Sequence, residues 1–195
     1  MSLITVFKLG VWNAWIFMIF VIFYNVLPYL LTLIQPIYKE ILKKATGPNI
    51  PLDKTDEILG KIMFLVFVIP IVYSFFLPIE LSSVWFFIGL SIYLFGVIIG
   101  SLAMYDFYST ALDKLVTKGI YRISRNPMYL GMFLIFIGTG IACVSWLFLL
   151  LTMVFVILSH ILVTTEERFC LKMYGKSYRE YLNRTSRWIG LPKSR

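Results

Sequence analysis

Five stretches of this chain, 9–34, 62–77, 81–104, 127–143 and 146–163, carry no Asp, Glu, Lys or Arg. A mostly apolar run of about 20 residues is what a helix needs to cross a hydrocarbon core about 30 Å thick. The pattern therefore predicts an all-α protein, an integral membrane helical bundle with five transmembrane helices. The links at 78–80 and 144–145 are too short for anything but hairpin turns. Charge usage agrees: Asp, Glu, Lys and Arg make up 14% of the 195 residues, against roughly a quarter in a soluble domain.

An odd number of spans puts residues 35–61, 105–126 and 164–195 on one side of the membrane. Of the 18 Lys and Arg only Lys8 falls on the other side, and of the 10 Asp and Glu only Glu80 does. The positive-inside rule makes the crowded side cytoplasmic. The expected protein is multi-pass, with its N-terminus outside and its C-terminus in the cytoplasm. The net charge of +8 is then juxtamembrane, so nucleic acid is not an expected partner and membrane lipids are. The first stretch is too long for the apolar part of a signal peptide and precedes no small-residue cleavage site, so it is expected to stay. Cys143 and Cys170 fall on opposite surfaces, out of reach of each other, and match no metal or redox spacing.

The chain shows no repeat or low-complexity linker and reads as a single domain over 1–195. Its first part, 1–104, supplies three spans; the second, 105–195, supplies a polar loop, a helical hairpin and a C-terminal segment. Residues 36–46 place Ile37, Ile41, Leu42 and Ala45 on one helical face and mostly lysines on the other, the pattern of an interfacial helix. The fifth helix is expected to run on past Glu166 and Glu167 to about Tyr174, where Gly175 ends it. Ser177 and Glu180 have capping-box spacing, so a short helix with Tyr178, Tyr181 and Leu182 should follow. We expect it to form a cytoplasmic lid over the inner end of the bundle.

Functional side chains concentrate on that inner side. In Ser-Arg-Asn-Pro-Met-Tyr-Leu-Gly, residues 124–131, Pro127 suits the first turn of the fourth helix and Asn126 suits its N-cap. A helix N-terminus at that depth offers N–H groups and partial positive charge to a carboxylate or phosphate, with Arg125 and Tyr129 beside it. The alternative is an ordinary helix start with an interfacial tyrosine. Glu166 and Glu167 point about 100° apart, so one can face the bundle and a cationic ligand while the other faces Arg168 and water. Simple pairing with nearby arginines is the alternative there. His160, on the same face as Glu167, reads as a neutral histidine bonded to a neighbouring element. No His or Cys set has metal spacing, so no metal is expected. Gly131, Gly138 and Gly140 suit close helix packing.

Leu-Val-Thr-x-Gly-x-Tyr, Arg-x-Pro-x-Tyr-x-Gly, a hydrophobic hairpin, Glu-Glu, and Tyr-Gly-x-x-Tyr-x-x-Tyr-x-x-Arg occur in that order over about 105–190. This succession resembles the isoprenylcysteine carboxyl methyltransferase family. Membrane phospholipid N-methyltransferases share the Asn-Pro-Met-Tyr and Glu-Glu elements, and the C-terminal parts of sterol reductases are similar. The resemblance implies a site for S-adenosylmethionine, leaving S-adenosylhomocysteine as product, lined by Leu115, Val116, Tyr121, Asn126, Pro127, Tyr129, Glu166 and Glu167. Arg125 and Glu167 become the candidate catalytic residues, and Glu166 the partner of the cofactor's amino group. The implied reaction methylates the C-terminal carboxylate of a prenylated cysteine or a similar lipid-linked carboxylate, entering from the bilayer between the first spans and the fourth helix. Phospholipid N-methylation, an NADPH-dependent reductase and a non-enzymatic scaffold are the alternatives. The family's eukaryotic branch has His at the position of Asn126 and a basic residue at that of Leu162. A carboxylate clamp would then come from Arg125, Arg184 or Arg187.

Overall fold

The computed structural model describes residue 10 and residues 12–34, 54–111 and 114–190. Among the described residues five α-helices follow one another: α1 Trp15–Ile34, α2 Lys54–Ser74, α3 Val84–Tyr108, α4 Pro127–Ala142 and α5 Trp146–Arg184, with a 3₁₀ turn at Gly119–Arg122 before α4. Among the described residues there is no strand, only a lone bridge between Asn13 and Pro78. The amphipathic stretch expected over 36–46 lies outside the described residues.

Among the described residues three helices, α2, α3 and α5, are long and apolar enough to cross a membrane, and α1 and α4 contain shorter apolar stretches, Trp15–Val26 and Pro127–Ala142. At 1.5 Å per residue the 16 residues of α4 reach about 24 Å, short of a full hydrocarbon core. Large apolar side chains such as Phe64, Phe87, Phe95, Leu102 and Met153 point outward. Such a surface suits lipid, and the chain is an integral membrane protein.

Local chemistry sets the helix starts. Ser83 caps α3 by accepting from the Trp85 N–H, and Ser145 caps α5 by accepting from the Phe148 N–H. The link between α2 and α3 is stitched to the start of α1: Ala14 N–H donates to Leu77 O at 2.8 Å, and Asn13 Nδ2 to Phe75 O at 2.6 Å. Tyr73 and Ser145 meet through their hydroxyls at 3.4 Å. The two hairpin links therefore gather at one end of the bundle, and residues 114–126 and the tail of α5 at the other.

At the bundle centre Phe133, Phe136, Phe148 and Phe155 pack together, with Phe67 against Phe136 and Phe155. Helices α3 and α4 are held differently, by contact of one helix backbone with the other. A Cβ placed on Gly138 of α4 would lie 2.5 Å from the Tyr93 nitrogen and 2.6 Å from the Gly89 oxygen of α3. One placed on Gly131 would lie 2.8 Å from the Gly100 nitrogen. Gly89, Gly96 and Gly100 thus face Gly131 and Gly138, the small-residue contact that membrane helices use in place of a hydrophobic drive. Gly140 packs the other way, against Leu149 of α5. Gly138→Ala should cost about 1–3 kcal/mol, because backbone cannot yield as a side-chain end can. Gly60→Ala, with nothing within 4 Å, is the control that should cost nothing; melting midpoints in detergent compare the two.

The apolar run of α5 begins at Trp146, and Glu166 lies 20 residues on, about 30 Å along the axis. Gly175, at φ 53° and ψ −119°, breaks the helix, where the sequence places a stop. Beyond it Tyr178 and Tyr181 are buried, and the Tyr181 hydroxyl donates to Tyr121 O at 2.6 Å. The segment after the break is therefore fastened to the turn preceding α4.

Candidate functional site

The loop before α4 is built around Asp106, at the end of α3. Its Oδ2 accepts the Ile120 N–H at 2.9 Å. Gly119 has φ +55°, and a Cβ there would collide with the Asp106 carboxylate, so only glycine lets the chain turn this closely. Val116 and Tyr121 are buried with Ala103, flanked by Phe107, Ile120 and Met128. Leu115 is half-buried on the same stretch. Burial pushes the Tyr121 hydroxyl well above the ordinary tyrosine range, and the neighbouring Tyr24, Tyr181, Asp106 and Glu166 add to this. Tyr121 therefore stays a neutral phenol, within electrostatic reach of Glu166 on the far helix.

Pro127 starts α4 at its first position and is fully buried. Asn126 holds the N-cap position but makes no side-chain cap, which corrects the sequence expectation. Its Nδ2 donates instead to Arg187 O at 3.1 Å, in the C-terminal tail. The physical reason is that the tail carbonyl lies within reach of the Asn126 amide, which joins the Ser124 hydroxyl as a donor to it. The first-turn N–H groups of α4 are left to other partners.

Tyr129, two residues into α4, donates from its hydroxyl to Glu166 Oε1 at 2.8 Å. Glu166 remains exposed by area while protein crowds around it, the condition of a carboxylate lining an open recess. Glu167 is the opposite case. It is only 9% exposed, and rather than facing Arg168 and water it is shared by two arginines. Arg125 Nη2 lies 3.0 Å from its Oε1, and Arg187 donates from Nε to Oε1 at 3.2 Å and from Nη2 to Oε2 at 2.6 Å. Arg168 turns to Thr165 Oγ1 at 3.0 Å. Arg184 stands 3.9 Å from Glu180 with both side chains about half exposed, away from this cluster. Of the three arginines considered as a carboxylate clamp, Arg125 and Arg187 are thus at the glutamate pair. The Nε of Arg125 is buried without an acceptor.

His160 Nδ1 accepts from Trp188 Nε1 at 3.1 Å. This agrees with a neutral histidine satisfied by a neighbour, though the neighbour is the tail and not another helix. Ser124, Thr164 and Trp188 are members of the cluster that the sequence did not single out. Ser124 and Trp188 belong to loop and tail segments whose approach is set by tertiary contact alone.

Chemically, the arrangement sets an exposed carboxylate beside a helix N-terminus that its own N-cap side chain leaves free. The first suits an ammonium group, the second a carboxylate, so together they fit the amino-acid end of a zwitterionic cofactor. The same stretch carries the likeness to known proteins. Residues 81–177 match the family model described as phospholipid methyltransferase. Over 139 residues the chain is 28% identical to the protein-S-isoprenylcysteine O-methyltransferase of Dictyostelium discoideum, covering 60% of this chain and 53% of that protein. The chain thus spans about half the length of that curated relative. Helices α3 and α4, the loop between them, α5 up to Ser177 and both glutamates fall within the residues matched by the family model, and the chain belongs to the membrane methyltransferase family that takes in the phospholipid and isoprenylcysteine enzymes.

Proposed function

We propose that the protein transfers a methyl group from S-adenosylmethionine to the carboxylate of a prenylated cysteine or a similar lipid-linked carboxylate. The observation that carries this is the charge balance of the site, the buried Glu167–Arg125–Arg187 cluster with the exposed Glu166 beside it. Glu166 and Glu167 contribute two negative charges and Arg125 and Arg187 two positive, each within the network described above. S-adenosylmethionine adds one net positive charge, from its sulfonium, ammonium and carboxylate together. An anionic acceptor brings the filled site back to neutrality, which matters at the edge of an apolar core where unbalanced charge is costly. A carboxylate is also ionised at pH 7 and needs no general base.

Bound there, the cofactor would supply an electrophilic methyl group. The residues would hold and align it: Glu166 at the ammonium, the N-terminus of α4 at the carboxylate, and Val116, Tyr121 and Tyr129 along the wall. Catalysis is then mainly proximity and orientation. The acceptor enters sideways from the bilayer, and the site opens to the cytoplasm, as the distribution of Lys and Arg favours. An amine acceptor is favoured by the description of the matching family; it would first have to lose a proton.

Detergent-purified protein given labelled S-adenosylmethionine should label a farnesylated cysteine analogue and not phosphatidylethanolamine. Label on the amine lipid alone would replace the carboxylate by an amine. Stabilisation by NADPH, with none by S-adenosylhomocysteine, would point to a reductase.

A further inference from the structure

The tail at 185–190 lies beyond the residues matched by the family and is bonded to the site along its whole length. Arg125 N–H donates to Ser186 O at 3.0 Å and Gly190 N–H to Ile123 O at 3.1 Å, so the tail and the loop run side by side in opposite directions. Ser124 Oγ and Asn126 Nδ2 both donate to Arg187 O, at 3.3 and 3.1 Å. The Trp188 ring packs against Phe133 with centroids 5.3 Å apart.

Arg187 sends its side chain to one face of α5, where His160, Thr164 and Glu167 follow at helical spacing. Because His160 Nδ1 accepts from Trp188, a neutral ring carries its hydrogen on Nε2. The 3.5 Å approach of Arg187 Nη1 to Nε2 then sets donor against donor and holds nothing. Thr164 Oγ1, at 3.4 Å, is a weak acceptor for it. What holds Arg187 is the two-pronged bond to Glu167, a geometry that a guanidinium can make and an ammonium cannot. Its side chain keeps only 28% of its surface exposed, so ordering the tail against α5 buries much of a charge.

We propose that Arg187 is a positioning residue, and that the tail is a strap that fixes the Ile123–Asn126 loop against α5 by sharing Glu167 with Arg125. The strap takes Glu167 out of contact with ligand and leaves Glu166 as the carboxylate that meets it. Its effect on ligand rests on the cofactor site proposed above; its hold on the loop does not.

The test uses the full chain in detergent, with hydrogen exchange read by segment and calorimetric titration with S-adenosylhomocysteine. In Arg187→Met, exchange over 123–126 should speed up by about tenfold or more relative to α3 and α4, and affinity should fall by about tenfold. Arg187→Lys, which keeps the charge and loses the fork, should fall between Met and wild type in both readouts. Ser124→Ala removes one bond to the Arg187 carbonyl and the acceptor of the Asn126 N–H without stranding a charge. It should loosen the same segment by a smaller factor, read at the Arg125 amide that is bonded to the tail and not at Asn126. Unchanged loop exchange in both Arg187→Met and Ser124→Ala overturns the strap. So does exchange that rises equally in every helix, which would make Arg187 a general stabiliser. Should the loop loosen as expected while wild-type protein binds no S-adenosylhomocysteine, the strap stands and the proposed cofactor falls.

Discussion

Glu167→Gln should lower the stability of the folded protein by about 3–5 kcal/mol, the usual result of removing one partner from a buried ion cluster. The carboxylate is 11% exposed at the side chain, as is Arg125, and Arg187 is 28% exposed. Neutralising Glu167 leaves two guanidinium groups close together with no counter-charge between them. Glutamine keeps the shape and can still accept one or two hydrogen bonds, so the loss isolates charge from packing. Arg168→Gln is the contrast. That arginine is exposed, its bond to Thr165 Oγ1 spans one turn of the helix, and a surface contact of this kind contributes well under about 1 kcal/mol. Melting midpoints in a single detergent read both. Equal shifts for the two variants would mean that the Glu167 cluster is no more than an interfacial charge contact.

The sequence pattern carries the helices well and the side-chain partnerships poorly, for a physical reason. Helix order, both hairpin links, the Pro127 start and the Gly175 stop are legible because each depends on neighbours in the chain: apolar runs, a missing N–H, a positive φ. Gly131 and Gly138 are readable as packing residues, but Gly89, Gly96 and Gly100 on the facing helix complete the contact, and Gly-x-x-x-Gly at 96–100 is its sequence trace. The glutamate pair is legible as two different groups, since adjacent helical residues diverge by about 100°. Which partner each finds depends on the tail folding back along the loop, a contact between residues about 60 apart in the chain. No local propensity encodes that. The side chain of Asn126 went to the tail and not to the helix start for the same reason, and Arg187 took the place that local sequence offered to Arg168.

Glu166→Gln should leave folding nearly intact and weaken binding of both S-adenosylmethionine and S-adenosylhomocysteine by roughly 10- to 150-fold. The basis is one charge-assisted hydrogen bond, about 1.5–3 kcal/mol in a partly dry site. Glu166 is exposed, it accepts from the neutral Tyr129 hydroxyl at 2.8 Å, and glutamine can still accept that bond, so little stability hangs on its charge. The equality of the two ligands matters. Both carry the ammonium group, and only the substrate form carries the sulfonium. A carboxylate at the ammonium binds both alike, which is uniform binding: it raises KM when lost and leaves kcat nearly unchanged. A carboxylate at the sulfonium would hold the charged reactant in its ground state and slow the transfer, so its loss would spare the homocysteine and raise kcat. Calorimetric titration of Glu166→Gln with both ligands separates the cases. A loss confined to S-adenosylmethionine would move Glu166 to the sulfonium, and no loss for either would remove it from the cofactor site.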